Sequence, residues 1–408
     1  MCLHAARDQR DTAPGLVTGG RYCQALRRNN PTAVQRSRRP ERRDRRWTGF
    51  RDRPVLQRAG MPRTTPPRPV DITAVVPRLA PLARTTTRLH PRPGSPSVRD
   101  SSIGGPLLWP TAEPWPYCDG PHERGFALDM SLVDLRLERL RAAVRGRNKT
   151  PQEQKTLGQL ESRAYPLTSP PIAPHHGSVA MLPLAQLYAR DVPDLPAPAG
   201  ADLLQVLWCP FDHPPDSFMP RTALVWRSSA AVTGVRTEPP EPAAVQYPGY
   251  LPEPCLIEPE QVIEYPNPLE LGKDLQELLG RWSTWEAAGA APDSSYAPAP
   301  EEFYQDELSV APGWKVGGWA PWGPTDPVPR FCPACGTGMD PLLTVATFEW
   351  DSGNRGWVPH EDLAAVSSHR SGYPDPRMPT EVQIASGYRQ QLYICPTDPE
   401  HPHTELMQ

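Results

Sequence analysis

Cys332-x-x-Cys335 followed by Gly336 is a knuckle spacing, in which the two intervening residues turn the chain so that both sulfurs can face one point. Zinc takes four soft or borderline donors at about 2.0–2.3 Å, so a second pair must come from elsewhere. The stretch "LYICPTDPEHPH" (392–403) offers Cys395 with either His401 or His403. His401 is preferred, because five intervening residues let the chain turn back on itself. An earlier region holds an analogue: Cys118-x-x-x-His122 and Cys209-x-x-x-His213. Four protein ligands leave no open coordination position, so both sets read as structural Zn2+ sites rather than catalytic ones.

Other residue types that could do chemistry are sparse. His175-His176 sits in a Pro-rich loop and reads as a solvated pair; the acidic run "EEFYQDE" (301–307) reads as a solvated face. No phosphate-cradling Gly-rich loop, nucleophile elbow or His-Glu-x-x-His helix occurs. The leading expectation is therefore a non-enzymatic protein-interaction module with structural zinc. Two alternatives stand beside it. One is a metal-dependent enzyme in which a site keeps only three protein ligands and an activating water; the other is a nucleic-acid binder acting through a basic leader.

That leader is residues 1–60, with fifteen Arg, no Lys and five acids, a charge of +10. The whole chain carries −3, so the remainder carries −13 and would repel a phosphate backbone. The folded part is thus a poor nucleic-acid partner. The leader shows no apolar period and is expected to be disordered, with Met61 reading like a natural start. Neither a charged-then-apolar leader nor an apolar run of about 18 residues occurs. The expectation is a cytoplasmic chain without a membrane span, whose paired cysteines are metal ligands rather than disulfides.

Proline, 57 of 408 residues, forces short elements, because each one fixes φ and removes a donor. Residues 61–98 read as an extended Pro/Thr-rich lead-in and 99–240 as a first lobe. Within that lobe a helical insertion (129–164) ends in a capped helix starting at Thr150-Pro151 with Glu153. Strands are expected at 179–189, 202–209 and 222–228. Residues 241–300 read as a connection, with an amphipathic helix over 267–282 carrying Leu271, Leu275, Leu278 and Leu279, then a Pro/Ala/Ser tract (287–300). Residues 301–408 form the second lobe. "SIGGPLLWP", "LPLAQLYARD" and "LLQVLWCPFDHP" recur in order as "KVGGWAPWGP", "DPLLTVATFEWD" and "RQQLYICPTDPEHP". This order predicts an internal duplication: an α+β fold, mainly β, with two pseudo-repeated strand-rich lobes, a helical insertion and a connecting amphipathic helix. Trp109, Trp115, Trp319 and Trp322 are expected as core aromatics around the Gly-Gly turns.

At "SSIGG", "PLAQL", "LLQVLWC" and the "GGW" to "LYIC" close, the chain resembles the YwqG-like family of bacterial proteins, itself distantly similar to the programmed cell death protein two family. The resemblance covers roughly residues 100–408, with 123–175 outside its motifs. It implies a duplicated, mainly β fold and brings no catalytic residues. It also implies protein binding of a chaperone-like or immunity-like kind. The chain reads "GGWAPW" where that family usually places Pro directly after Trp319, and it lacks the separate zinc finger of the eukaryotic relatives.

Overall fold

Short apolar runs cut by proline and glycine make strands here rather than long helices. The computed structural model describes residues 63–122, 130–163, 177–213, 217–290, 299–323, 325–367 and 375–408. The leader, Cys2, Cys23, His175, His176 and most of the 287–300 tract lie outside the described residues.

The strands of the two large sheets are β1 (Arg84–Arg88), β2 (Arg92–Pro93), β3 (Ser102–Ile103), β4 (Leu182–Tyr188), β5 (Leu203–His213) and β6 (Ser217–Arg227), then β7 (Cys255–Leu256), β8 (Glu260–Glu264), β9 (Lys315–Gly317), β10 (Asp340–Ala346), β11 (Arg389–Ile394) and β12 (Thr404–Met407). One sheet has the order β2-β7-β3-β4-β5-β6 and the other β8-β1-β9-β10-β11-β12. Advancing every strand by six positions turns the first order into the second. The sheets therefore exchange a strand: β7 lies inside the earlier sheet and β1 inside the later one. The protein is α+β and mainly β.

The registers correspond as well as the orders. β4 runs antiparallel to β5 with a shift between Pro183 and Ala185, and β10 runs antiparallel to β11 with a shift between Pro341 and Leu343. Proline cannot donate to a ladder, and each bulge follows directly from one. Beyond the bulges, Leu182 opposes Trp208 and Asp340 opposes Ile394, so Cys209 and Cys395 each follow the last matched pair. After β3 and β9 the chain turns at Gly104-Gly105 and Gly317-Gly318. Gly104, Gly317 and Gly318 have φ of +62°, +73° and +71°, a region costly for any other residue.

One apolar core takes side chains from both sheets, among them Leu184, Val206 and Trp208 from one and Leu343, Val345 and Leu392 from the other. A second cluster gathers the 72–82 segment with the helices after β8. The insertion forms two helices, α1 (Leu132–Ala143) and α2 (Pro151–Glu161), and α2 has the expected capping box of Thr150 and Glu153. Trp109, Trp115 and Trp322 are buried, while Trp319 is half-buried with the Arg84 guanidinium 3.8 Å above its ring.

Several boundaries read from composition do not coincide with the sheets. Residues 61–98 carry β1 in a sheet interior, and 241–300 carry β7 and β8. The helix expected over 267–282 breaks: Asn267 caps a short 3-10 turn (Pro268–Glu270), and α3 (Lys273–Leu279) begins only after Gly272. A further helix, α4 (Trp282–Ala287), follows. The acidic run is not a fully solvated face, because Phe303 and Tyr304 are buried within it. No helix among the described residues is long and apolar enough to cross a membrane.

Candidate metal centres

The first group lies where β5 runs past the shared core. Cys209 and His213 occupy β5 four residues apart, an even spacing that would put both on one face of a regular strand. A straight strand would separate them by about 13 Å. Here Trp208 opposes Thr222 while Asp212 opposes Pro220, so four steps on β5 match two on β6 and the strand bulges. Asp212 pins the bulge. It accepts from Tyr250 Oη at 2.7 Å and Gln246 Nε2 at 2.9 Å, and its own amide donates to Gln246 Oε1 at 2.7 Å. Cys118 ends a two-residue strand (Tyr117–Cys118) paired with Val179–Ala180, and His122 follows the turn at Gly120, whose φ is +89°.

These placements bring Cys118, His122, Cys209 and His213 together, one ligand atom of each lying within 4.8 Å of all the others. Cys118 Sγ is 3.1 Å from His213 Nε2. A zinc tetrahedron with bonds of about 2.3 Å to sulfur has edges of about 3.8 Å, which fits this spread. The group sits in an apolar cluster with Trp109, Trp115 and Phe211. Buried His122 Nε2 has no hydrogen-bond partner. A donor set this dry, with an orphaned imidazole nitrogen, suits a cation better than four neutral side chains. The Cys209 hydrogen bond, then those from His213 and the Gly120 amide, hold the Cys118 thiol far below its ordinary value; burial and the Cys118 charge push Cys209 up.

The second group occupies the equivalent end of β11. The knuckle closes by Gly336 N–H donating to Cys332 O and Cys332 N–H donating to Thr337 O, both at 2.8 Å, with Gly336 at φ +71°. Cys395 follows β11, and the turn after it closes by the His401 amide donating to Asp398 O at 3.1 Å. Cys332, Cys335, Cys395 and His401 again lie within 4.8 Å of one another. Cys335 Sγ is 3.5 Å from Cys395 Sγ, and Cys332 Sγ is 3.5 Å from His401 Nδ1. His401 Nε2 lies 3.7 Å from Asp398 Oδ2, beyond hydrogen-bond length but on the side of the ring away from the cysteines. Burial opposes ionisation of Cys395, yet the Asp398 and Thr397 amides and the neighbouring thiols bring it down to about 7.

His403 is not part of this group. Its Nε2 lies 2.8 Å from Thr222 Oγ1 and 3.4 Å from Glu405 Oε1, so it ties β12 to β6 instead. Cys255 is buried in β7 away from both groups, its thiol donating to Pro379 O at 3.2 Å. The supporting residues Asp212, Gln246 and Tyr250 carry no metal-binding signal in the sequence, since they belong to no spacing motif. No protein-family model matches the chain, and no curated protein matches it.

Proposed function

We propose that the protein is a non-enzymatic protein-interaction module, chaperone-like or immunity-like, whose two sheet ends are held by structural zinc. One observation carries this reading. Each group presents four converging donors, two or three of them sulfur, and an ion held by all four has no position left for a reacting molecule. A metal-dependent enzyme needs three ligands and an open position, and neither group is short of its fourth donor. The residues of the first site would be Cys118, His122, Cys209 and His213; those of the second, Cys332, Cys335, Cys395 and His401.

The matched strand orders, the equivalent proline bulges and the two cysteines that follow them support an internal duplication, in keeping with the YwqG-like resemblance. A reducing, cytoplasmic setting suits free thiols at both sites. For partner binding, the two most exposed large apolar side chains among the described residues are Phe331 and Tyr117. Each directly precedes the first cysteine of a site, so a metal would fix an aromatic anchor of the kind interfaces favour.

Purified protein should carry two equivalents of zinc, and less than half an equivalent overturns the metal reading. Cys335→Ser should lower zinc content, and Cys255→Ser should not. Tyr117→Ser combined with Phe331→Ser should keep the zinc and the melting temperature while losing a partner that the native protein retains. Equal recovery of that partner would reject the aromatic face.

A further inference from the structure

The two groups differ in a way that bears on reactivity. Of the six described cysteines, Cys335 alone is exposed and the other five are buried. The first group holds two thiols, both buried against tryptophan and phenylalanine rings. The second holds three, and the exposed one stands 3.5 Å from Cys395 across sixty residues of chain. Oxidation by peroxide requires an accessible thiolate, and a second thiol close by decides whether the first product is trapped as a disulfide.

We propose that Cys335 is a site of reversible oxidation by hydrogen peroxide, with Cys395 as its resolving partner, so that the second site exchanges its metal for a disulfide. The inference rests on the metal reading for the ion it releases, but not for the thiol chemistry. The Cys335 thiolate attacks one peroxide oxygen, the O–O bond breaks, and protonation of the leaving oxygen gives water and a sulfenic acid. The Cys395 thiolate then attacks that sulfur and expels the second oxygen, which leaves as water after taking up a proton. Two thiolates, one peroxide and two protons become one disulfide and two waters. The sulfurs have lost two electrons and the peroxide has gained them. A disulfide is about 2.05 Å long, so the two sulfurs must close by roughly 1.5 Å, within reach of a surface turn.

The new bond keeps the knuckle attached to β11 but leaves His401 with nothing to bind. The 396–403 turn is then held by its own hydrogen bonds and by contacts to β6, notably Trp226 Nε1 donating to Pro399 O at 3.1 Å. Oxidation should loosen this turn while the first site stays closed.

The test is a titration of the full chain, loaded with zinc, with hydrogen peroxide. Zinc release is followed by a chromogenic chelator and the thiols by a non-reducing peptide map. One equivalent should leave at least roughly tenfold faster than the other, a Cys335–Cys395 linked peptide should appear with it, and dithiothreitol with zinc should restore both. Cys335→Ser should abolish the linked peptide. Should that variant fail to fold, the wild-type map decides alone. Release of both equivalents at one rate, a Cys332–Cys335 or Cys118–Cys209 disulfide, or Cys335 recovered as free thiol would each overturn the proposal. Protein purified without zinc would defeat the metal reading only, since the same map of the metal-free chain still tests the Cys335–Cys395 pair.

Discussion

Lys315 and Glu264 form a completely buried ion pair, with Nζ 2.6 and 2.7 Å from the two carboxylate oxygens. The pair joins β8 to β9 at the Gly317-Gly318 turn. Glu264 also accepts from the Ala311 and Trp319 amides, both at 2.8 Å, and Nζ donates to Trp319 O at 2.7 Å. A Cβ on Gly318 would collide with Glu264 Oε2 and Thr86. At an effective dielectric of about 20 the attraction is about 6 kcal/mol, and desolvating two ions offsets most of it. The pair therefore adds little net stability, yet removing one member strands a buried charge. Lys315→Met and Glu264→Gln should each cost about 3–5 kcal/mol. The double variant should cost less than their sum by at least about 2 kcal/mol. Glu264→Gln should be the worse single change, because it leaves an ammonium unpaired and one oxygen where two served two amides. Urea denaturation of zinc-loaded protein, followed by tryptophan emission, measures all three. Single losses below about 1 kcal/mol, or additivity within about 0.5 kcal/mol, would refute the account.

Two further outcomes concern the segments on either side of β1. His90 is completely buried, 3.2 Å from Glu260 Oε2 and 3.9 Å from Glu349 Oε2; burial, then Arg88 and Arg92, push its pKa down to about 3 against a favourable Glu260. The unfolded imidazole takes a proton near pH 6.5 and the folded one only near 3, so this group's stabilisation is present above pH 6.5 and is lost as pH falls, by about 1.4 kcal/mol per unit. His90→Asn suits the φ of +43° and should flatten that slope in denaturation at stepped pH; the comparison matters because Glu349, raised by burial, titrates in the opposite sense. Separately, a chain starting at Met61 should keep the melting temperature of the full chain. One starting at Val70 should melt lower, because it loses Thr65 on Glu260 and Arg68 on the Glu307 and Gly356 carbonyls; equal melting of both truncations would show these contacts to be idle.

The metal candidates were legible because donor type and local spacing are written directly in the chain. Cys332, Cys335 and Cys395 announce themselves, and the recurrence of "Cys-Pro" after a leucine-rich strand points to Cys209. The choice between His401 and His403 turned on a turn closed at Asp398 and on a partner, Thr222, 181 residues away. Nothing local encodes that partner. The exchanged strands were illegible for a related reason. β1 reads "RTTTR" and β7 is two residues long, so neither has an apolar alternation to mark it as sheet interior. Their burial comes from the neighbours on either side. Asp212, which pins the β5 bulge, depends on Gln246 and Tyr250, 34 and 38 residues on.

The positions of the two groups show what a metal bound there would stabilise. The large core joins the sheets through β4, β5, β10 and β11, but Cys209 and Cys395 belong to two satellite clusters, the smaller built on Ala320, Trp322, Cys332, Met339, Tyr393 and Cys395. Six such side chains bury too little apolar surface to offset the ordering of a turn, a knuckle and a hairpin, at about 1–2 kcal/mol per residue. A closed zinc site couples about 10–16 kcal/mol of apparent binding to folding in small modules, which suffices for a segment of that size. Because the shared core lies elsewhere, chelation should free these ends and leave the sheets intact. The exposed aromatics beside the cysteines would then lose their fixed placement, and the partner binding proposed for them would fail before the fold does.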